Sequence, residues 1–172
     1  ALDTGSQSVT MTHEAVLDRE SGMKARLLKT VSLAPDASQV EIRYDIANSG
    51  TAPLQALFGV EFAINLLTGS ASDRYYRSDD QKLTHALLGK RGVSNGLNHI
   101  ALRDDWQEVE CGFRFSAPAQ VYRFALDTVS QSESGQERVY QGSVIIPCWF
   151  VDVAAGESYS QCIHMEILRT SE

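Results

Sequence analysis

The sequence lacks most of the signatures that mark an enzyme or a membrane protein. No apolar run approaches the ~20 residues that a helix needs to cross a bilayer. The motifs HExxH, Walker A and GxGxxG are all missing, so no zinc protease site or nucleotide site is predicted. We therefore expect no cofactor, no metal centre, no catalytic residue in this chain and no membrane partner.

Positive charge is also scarce. Lys and Arg number 15 against 22 Asp and Glu, which gives a formal net charge of −7. Proteins that bind nucleic acid without specificity need clustered Lys and Arg to displace the counterions of the phosphates. A nucleic-acid partner is therefore not expected.

Cysteine is limited to Cys111, Cys148 and Cys162, and no pair has the CxxC spacing of a zinc or redox site. Each lies in an apolar, strand-like run, which favours buried free thiols and is compatible with a reducing cytoplasm. The sequence begins ALDTGSQ, without Met and without the apolar core of a secretory signal. We therefore expect a cytoplasmic protein and interpret the chain as a piece of a longer polypeptide.

What the sequence does have is an apolar period of two. VEIRYDIANSG, LFGVEFAINLLTG and CGFRFSAP alternate apolar with polar or small residues, which is typical of strands that have one packed face. Segments such as APDAS, ANSGTAP and AAGES separate these runs with turn-forming residues. The pattern predicts an all-β protein, a large antiparallel β-sandwich, with at most one short helix in DDQKLTHALLGKRG.

Glu61 is an unusual residue within one of these runs. If FGVEFAINLL is one continuous strand, Glu61 and Asn65 point to the same face. A carboxylate there must be solvated or paired. Either Glu61 pairs with an arginine such as Arg43 or Arg123, or this face is a wet platform whose polar groups bind sugar hydroxyls. Trp106, at a hairpin tip, is a further candidate for sugar contact.

An enzymatic alternative also stays open. Aldose epimerases use two histidines and a glutamate on an open β-sandwich face, and His85, His99 and Glu61 supply those residue types. Under this hypothesis the chain is a free-standing, epimerase-like enzyme.

The stretch TVSQSESGQERVYQG, residues 128–142, is rich in hydroxyl, amide and carboxylate groups. Its turn chemistry centres on Gly135. One hypothesis is that it meets a neighbouring domain or a carbohydrate, and the other is that its polar groups satisfy its own backbone. The candidate contact residues in it are Gln131, Glu133, Glu137, Tyr140 and Gln141.

Two segments resemble the C-terminal β-sandwich domain of glycoside hydrolase family 57, the α-amylase and 4-α-glucanotransferase group. The shorter segment is FGVEFAINLL, and the resemblance extends from about Met11 to about Ile167. Gln136 departs from it, because an aromatic residue is expected there. The longer segment carries Thr128 to Glu133, Gly135, Glu137, Tyr140 to Ser143, Pro147, Trp149, Gly156 and Glu157.

The resemblance implies a supersandwich, galactose-mutarotase-like fold for a single domain, 1–172. It also implies that an N-terminal catalytic barrel of the same polypeptide holds the two carboxylates of glycoside chemistry. We therefore expect a non-catalytic accessory domain of an α-glucan-processing enzyme, which supports the barrel and contacts an α-glucan or oligosaccharide. An independent carbohydrate-binding module is the remaining alternative.

Overall fold

The computed structural model describes residues 2–3, 7–33, 38–132 and 135–170, and these contain β-strands, turns and bends with no α-helix. The short helix allowed for in DDQKLTHALLGKRG is absent, because residues 79–91 form bends, turns and irregular backbone. Leu87 makes an isolated β-bridge with Tyr75, which holds the backbone extended at that point. No helix within the described residues is long and apolar enough to span a membrane.

The sheet is antiparallel throughout its recorded pairings. The strands are β1 (Leu2–Asp3), β2 (Ser8–Asp18), β3 (Met23–Leu33), β4 (Gln39–Asn48), β5 (Leu54–Gly59), β6 (Phe62–Ile64), β7 (Arg74–Arg77), β8 (Gly92–Asp104), β9 (Val109–Ser132), β10 (Gly135–Val153) and β11 (Ser158–Arg169). Their hydrogen-bonded order is β1-β2-β3-β4-β11-β9-β10-β5, and off this path β6 pairs with β10 while β8 pairs with β7 and β9.

The chain forms two compact units, and the first comprises residues 1–58, 113–117 and 149–166. Its core contains Leu54 and Val151, each 1% exposed, together with Ile46 and Val153. Trp149 is buried, and its ring stacks on that of Phe58 with 6.2 Å between the ring centres. The alternation of VEIRYDIANSG accounts for this core, because β4 buries Ile42, Tyr44 and Ile46 from alternate positions.

The second unit comprises residues 59–112, 118–148 and 167–172. Leu97, Ile100 and Ile145 are fully buried in it. The segment between β6 and β8 contains the short strand β7, and β8 begins at Gly92.

The run FGVEFAINLL does not form the continuous strand that its alternation predicts. Strand β5 ends at Gly59 and β6 begins at Phe62, so Glu61 lies in the break. Opposite the break, the N–H of Val60 donates to the carbonyl of Pro147 (3.1 Å). Proline has no N–H to return that hydrogen bond, so the ladder loses a partner where the strand is interrupted.

Candidate functional site

A cleft of about 560 Å³ lies in the second unit, and we call it the polar cleft. Three segments build it: the chain after β6, the turn before β8, and the paired strands β9 and β10. The lining residues are Thr68, Gly69, Ser70, Leu87, Gly89, Lys90, Asp127, Arg138 and Tyr140.

Two glycines allow the first two segments to meet. The N–H of Gly89 donates to the carbonyl of Gly69 at 2.7 Å. A Cβ on Gly69 would lie 2.7 Å from the Cα of Gly89 and 2.7 Å from Cδ2 of Tyr140. The absence of a side chain at Gly69 is therefore what lets the backbone and the Tyr140 ring approach each other.

Substitution of Gly69 by alanine should lower the free energy of unfolding by about 1–3 kcal/mol, because the added methyl group overpacks a backbone contact. Urea denaturation measures the change. Ser70→Ala, in the same segment and exposed, is the matched control and should stay within about 0.5 kcal/mol of the parent protein. Equal stability of both variants would show that the Gly69–Gly89 approach is not tight.

The β9–β10 pairing sets the polar groups along one wall. Tyr140 is the register partner of Asp127, and Arg138 reaches back to Asp127, with Nη2 2.9 Å from Oδ2. Lys90 adds a second cation on another wall. The cleft therefore offers a carboxylate, a guanidinium and an ammonium group within one opening.

A chain of hydrogen bonds fixes the Tyr140 ring. Ser143 donates its hydroxyl proton to the carbonyl of Leu88 (3.0 Å), so the 2.7 Å contact between Tyr140 Oη and Ser143 Oγ has the phenol as donor. Burial raises the pKa of Tyr140, which keeps that donor protonated at neutral pH. The fixed aromatic ring thus lies beside charged and hydroxyl groups. This combination of an apolar surface and hydrogen-bonding groups suits a polyhydroxylated ligand.

The remaining predicted residues of the 128–142 stretch lie outside the polar cleft. Strands β9 and β10 form a hairpin here, and Gln131, Glu137 and Gln141 are exposed on it. Gln141 Nε2 donates to Thr128 Oγ1 (3.2 Å), so part of the stretch does satisfy itself. Glu133 lies outside the described residues.

The three other sequence candidates lie away from the polar cleft. Glu61 is exposed between β5 and β6. Asn65 uses its side-chain oxygen locally, because Oδ1 accepts the N–H of Leu67 (2.9 Å). Trp106 is 69% exposed, with the guanidinium of Arg74 5.5 Å from its ring centre.

Neither arginine considered as a partner for Glu61 pairs with it among the described residues. Arg43 Nε binds the Asp45 carboxylate at 3.0 Å. Arg123 is fully buried, with its guanidinium 5.2 Å from the ring centre of Tyr76. The interpretation of Glu61 as an ion-paired strand residue is therefore wrong for these two arginines.

The histidines do not form an open acid–base pair. His99 is only 2% exposed, and its Nδ1 accepts the backbone N–H of Asp79 (3.2 Å). His85 is exposed in the turn region and has a φ of 52°. A sugar in solution has no access to the enclosed ring of His99, which argues against the epimerase alternative.

Sequence reasoning missed Asp127, Arg138 and Lys90. Asp127 and Arg138 are eleven residues apart along the chain, and Lys90 belongs to a different segment. For Asp127 and Arg138 the available signal was the antiparallel strand pair, in which diagonal neighbours lie within reach of long side chains.

Three comparisons place this geometry among known proteins. The family profile described as alpha-amylase/4-alpha-glucanotransferase, C-terminal, matches residues 4–162. Alpha-amylase 1 of Dictyoglomus thermophilum is 34% identical over 139 residues, which are 80% of this chain and 19% of that protein. The chain thus spans about a fifth of the length of this relative.

Two solved structures share the fold. The 4-alpha-glucanotransferase of Thermococcus litoralis superposes with a TM-score of 0.67 at 18% identity, over 93% of this chain and 21% of that one. A galactose mutarotase related enzyme of Lactobacillus acidophilus gives a TM-score of 0.66 at 14% identity, over 96% and 69% of the two chains. The predicted all-β, antiparallel, galactose-mutarotase-like sandwich is confirmed.

Proposed function

Because the chain belongs to the family of C-terminal domains of alpha-amylases and 4-alpha-glucanotransferases, we propose that it is a non-catalytic accessory domain of a larger α-glucan-processing enzyme. In this proposal residues 1–172 are one part of that enzyme, and an N-terminal catalytic barrel of the same polypeptide performs the chemistry. The short share of the relative's length that the chain covers, 19%, supports a larger parent protein. Three free thiols support a reducing, cytoplasmic location.

We further propose that this domain contacts an α-glucan, and the polar cleft is the observation that supports this contact. Sugar hydroxyls donate and accept hydrogen bonds, and Asp127 and Arg138 supply an acceptor and a donor 2.9 Å apart. The ring of Tyr140 provides an apolar surface beside them. Such a site binds a glucan chain without cleaving it and holds the substrate near the separate barrel.

The test is a titration of the protein with maltooligosaccharides, followed by amide chemical shifts. The chemical-shift changes should concentrate at residues 68–70 and 87–90. Arg138→Ala should weaken the apparent affinity for the sugar at least tenfold, because a charged hydrogen bond contributes about 1.5–3 kcal/mol. Tyr140→Ala should act in the same direction.

Arg114→Ala is the matched control, because Arg114 is an exposed arginine of the first unit, 3.7 Å from Glu166. It should leave the sugar titration unchanged. Saturating shifts that survive Arg138→Ala and Tyr140→Ala would remove the polar cleft from the proposal. Interconversion of aldose anomers by the protein, lost on His99→Gln, would replace the accessory role with the epimerase alternative.

A further inference from the structure

A cluster in the first unit is separate from the polar cleft and has a different chemistry. Glu41 on β4 and Cys162 and His164 on β11 each place one potential ligand atom so that all three atoms lie within 4.8 Å of one another. Cys162 Sγ is 3.7 Å from His164 Nε2, and His164 Nδ1 is 3.8 Å from a carboxylate oxygen of Glu41. We call this cluster the Glu–Cys–His trio.

The strand register explains how the trio forms. Strands β4 and β11 pair antiparallel, with His164 directly opposite Glu41 and Cys162 opposite Arg43. Cys162 and His164 are two residues apart on one strand, so their side chains leave the same face of the sheet. Directly opposite residues have Cβ atoms about 4.5–5.5 Å apart. The three side chains therefore converge through strand pairing alone, and no loop residue contributes to the trio.

The arginine opposite Cys162 on β4, Arg43, is itself paired with a carboxylate. The guanidinium of Arg43 binds both oxygens of Asp45, with Nε 3.2 and 3.0 Å from them. Its Nη2 donates to Oγ of Ser160 on β11, and Ser160 is the register partner of Asp45. The Arg43 charge is thus neutralised by Asp45, and the thiol, imidazole and carboxylate face no bare cation from β4.

We propose that the Glu–Cys–His trio is a binding site for a divalent transition-metal ion of the zinc type, with one coordination position open to water. A thiolate and an imidazole are ligands that zinc and cobalt prefer, whereas calcium and magnesium select all-oxygen sites. One thiolate and one carboxylate also cancel the charge of a divalent ion. Three protein ligands leave the fourth tetrahedral position free.

The distances fit such an ion after a small side-chain movement. Metal–ligand bonds of about 2.0–2.3 Å put neighbouring ligand atoms about 3.3–3.7 Å apart in a tetrahedral site. The separation of 3.7 Å between Cys162 Sγ and His164 Nε2 already has this value. Because one ion takes one ring nitrogen and the Glu41 carboxylate now lies nearer to Nδ1, at 3.8 Å, the exposed Glu41 side chain supplies the movement. A cleft of about 200 Å³ borders Glu41 and His164 and is also lined by Ser32 and Gln39, so an ion and its water can enter from solvent.

Cobalt(II) is the probe, because coordination by a thiolate produces a charge-transfer absorption that carboxylate or imidazole ligands alone do not. Titration of the metal-free protein with Co²⁺ should develop this band and saturate at one equivalent, and Zn²⁺ should displace it. Cys162→Ser should abolish the band. His164→Gln and Glu41→Gln should each weaken Co²⁺ binding at least tenfold while circular dichroism stays unchanged.

His13→Gln is the matched control, because His13 is an exposed strand histidine outside the trio, and it should leave the titration unaltered. A titration without the charge-transfer band would overturn the proposal. So would a band that persists in Cys162→Ser, or binding that His164→Gln leaves at full strength. If Cys162→Ser does not fold, His164→Gln and Glu41→Gln still test the proposal. Both should fold, because Glu41 is exposed and His164 is half-buried.

Discussion

Substitution of Asp104 by alanine should lower the free energy of unfolding by about 3–5 kcal/mol, the cost of leaving a buried charge without its partner. The Asp104 side chain is fully buried, and its Oδ2 lies 2.8 Å from Nε of Arg74, which is itself 8% exposed. Its other oxygen accepts the N–H of Gln107 at 2.9 Å. Alanine removes both interactions, and among the described residues Arg74 is left with the partly exposed Asp73 as its counter-ion, at 3.1 Å.

Guanidinium chloride denaturation measures this loss, and Asp105→Ala is its control. Asp105 is the next residue and also binds an arginine, Arg103, at 2.7 Å, but its side chain is 43% exposed. Exposed ion pairs contribute about 0–1 kcal/mol, so the control should differ little from the parent protein. A loss below about 1 kcal/mol for Asp104→Ala would mean that Arg74 finds another partner or solvent when the carboxylate is removed.

Leu54→Ala should be the other strongly destabilising change, with a loss of about 2–5 kcal/mol, because the cavity it leaves adds to the lost burial of the side chain. Leu54 is 1% exposed and belongs to the core cluster of the first unit with Ile46, Val151 and Val153. Urea unfolding should show a lower midpoint with an unchanged slope, since the surface exposed on unfolding stays nearly the same.

Leu57→Ala is the comparison for this prediction. Leu57 lies on the same strand, β5, but is 61% exposed. The same chemical change there should alter stability by at most about 0.5 kcal/mol. Similar losses at both positions would show that burial does not decide the cost on this strand.

The strands were predictable from the sequence wherever alternation was strict. Cys111, Phe113 and Phe115 are all buried, with Arg114 exposed between them, as CGFRFSAP predicts. The same reasoning failed for FGVEFAINLL, which alternates equally well but breaks at Val60–Glu61. At the break Val60 meets Pro147, which has no N–H to donate and lies far along the chain, so a local pattern carries no information about this contact.

The candidate site was only partly predictable. Residues 128–142 were recognised as unusual, and of their candidates Tyr140 lines the polar cleft. The other walls come from Gly69, Gly89 and Lys90, which meet because two backbones touch at 2.7 Å. The Glu–Cys–His trio was missed for a similar reason: its histidine has no other histidine within metal-ligand spacing, and its glutamate belongs to another strand.

The order of apolar and polar residues was enough to establish an all-β chain, the buried faces of its longest strands and, through two recognisable segments, its family. Side-chain direction repeats every two residues in a strand, so these properties depend only on neighbours in sequence. The polar cleft, the Asp104–Arg74 pair and the trio came from the folded chain alone. They depend on which strands lie side by side and in what register, which is decided by packing between residues distant in sequence.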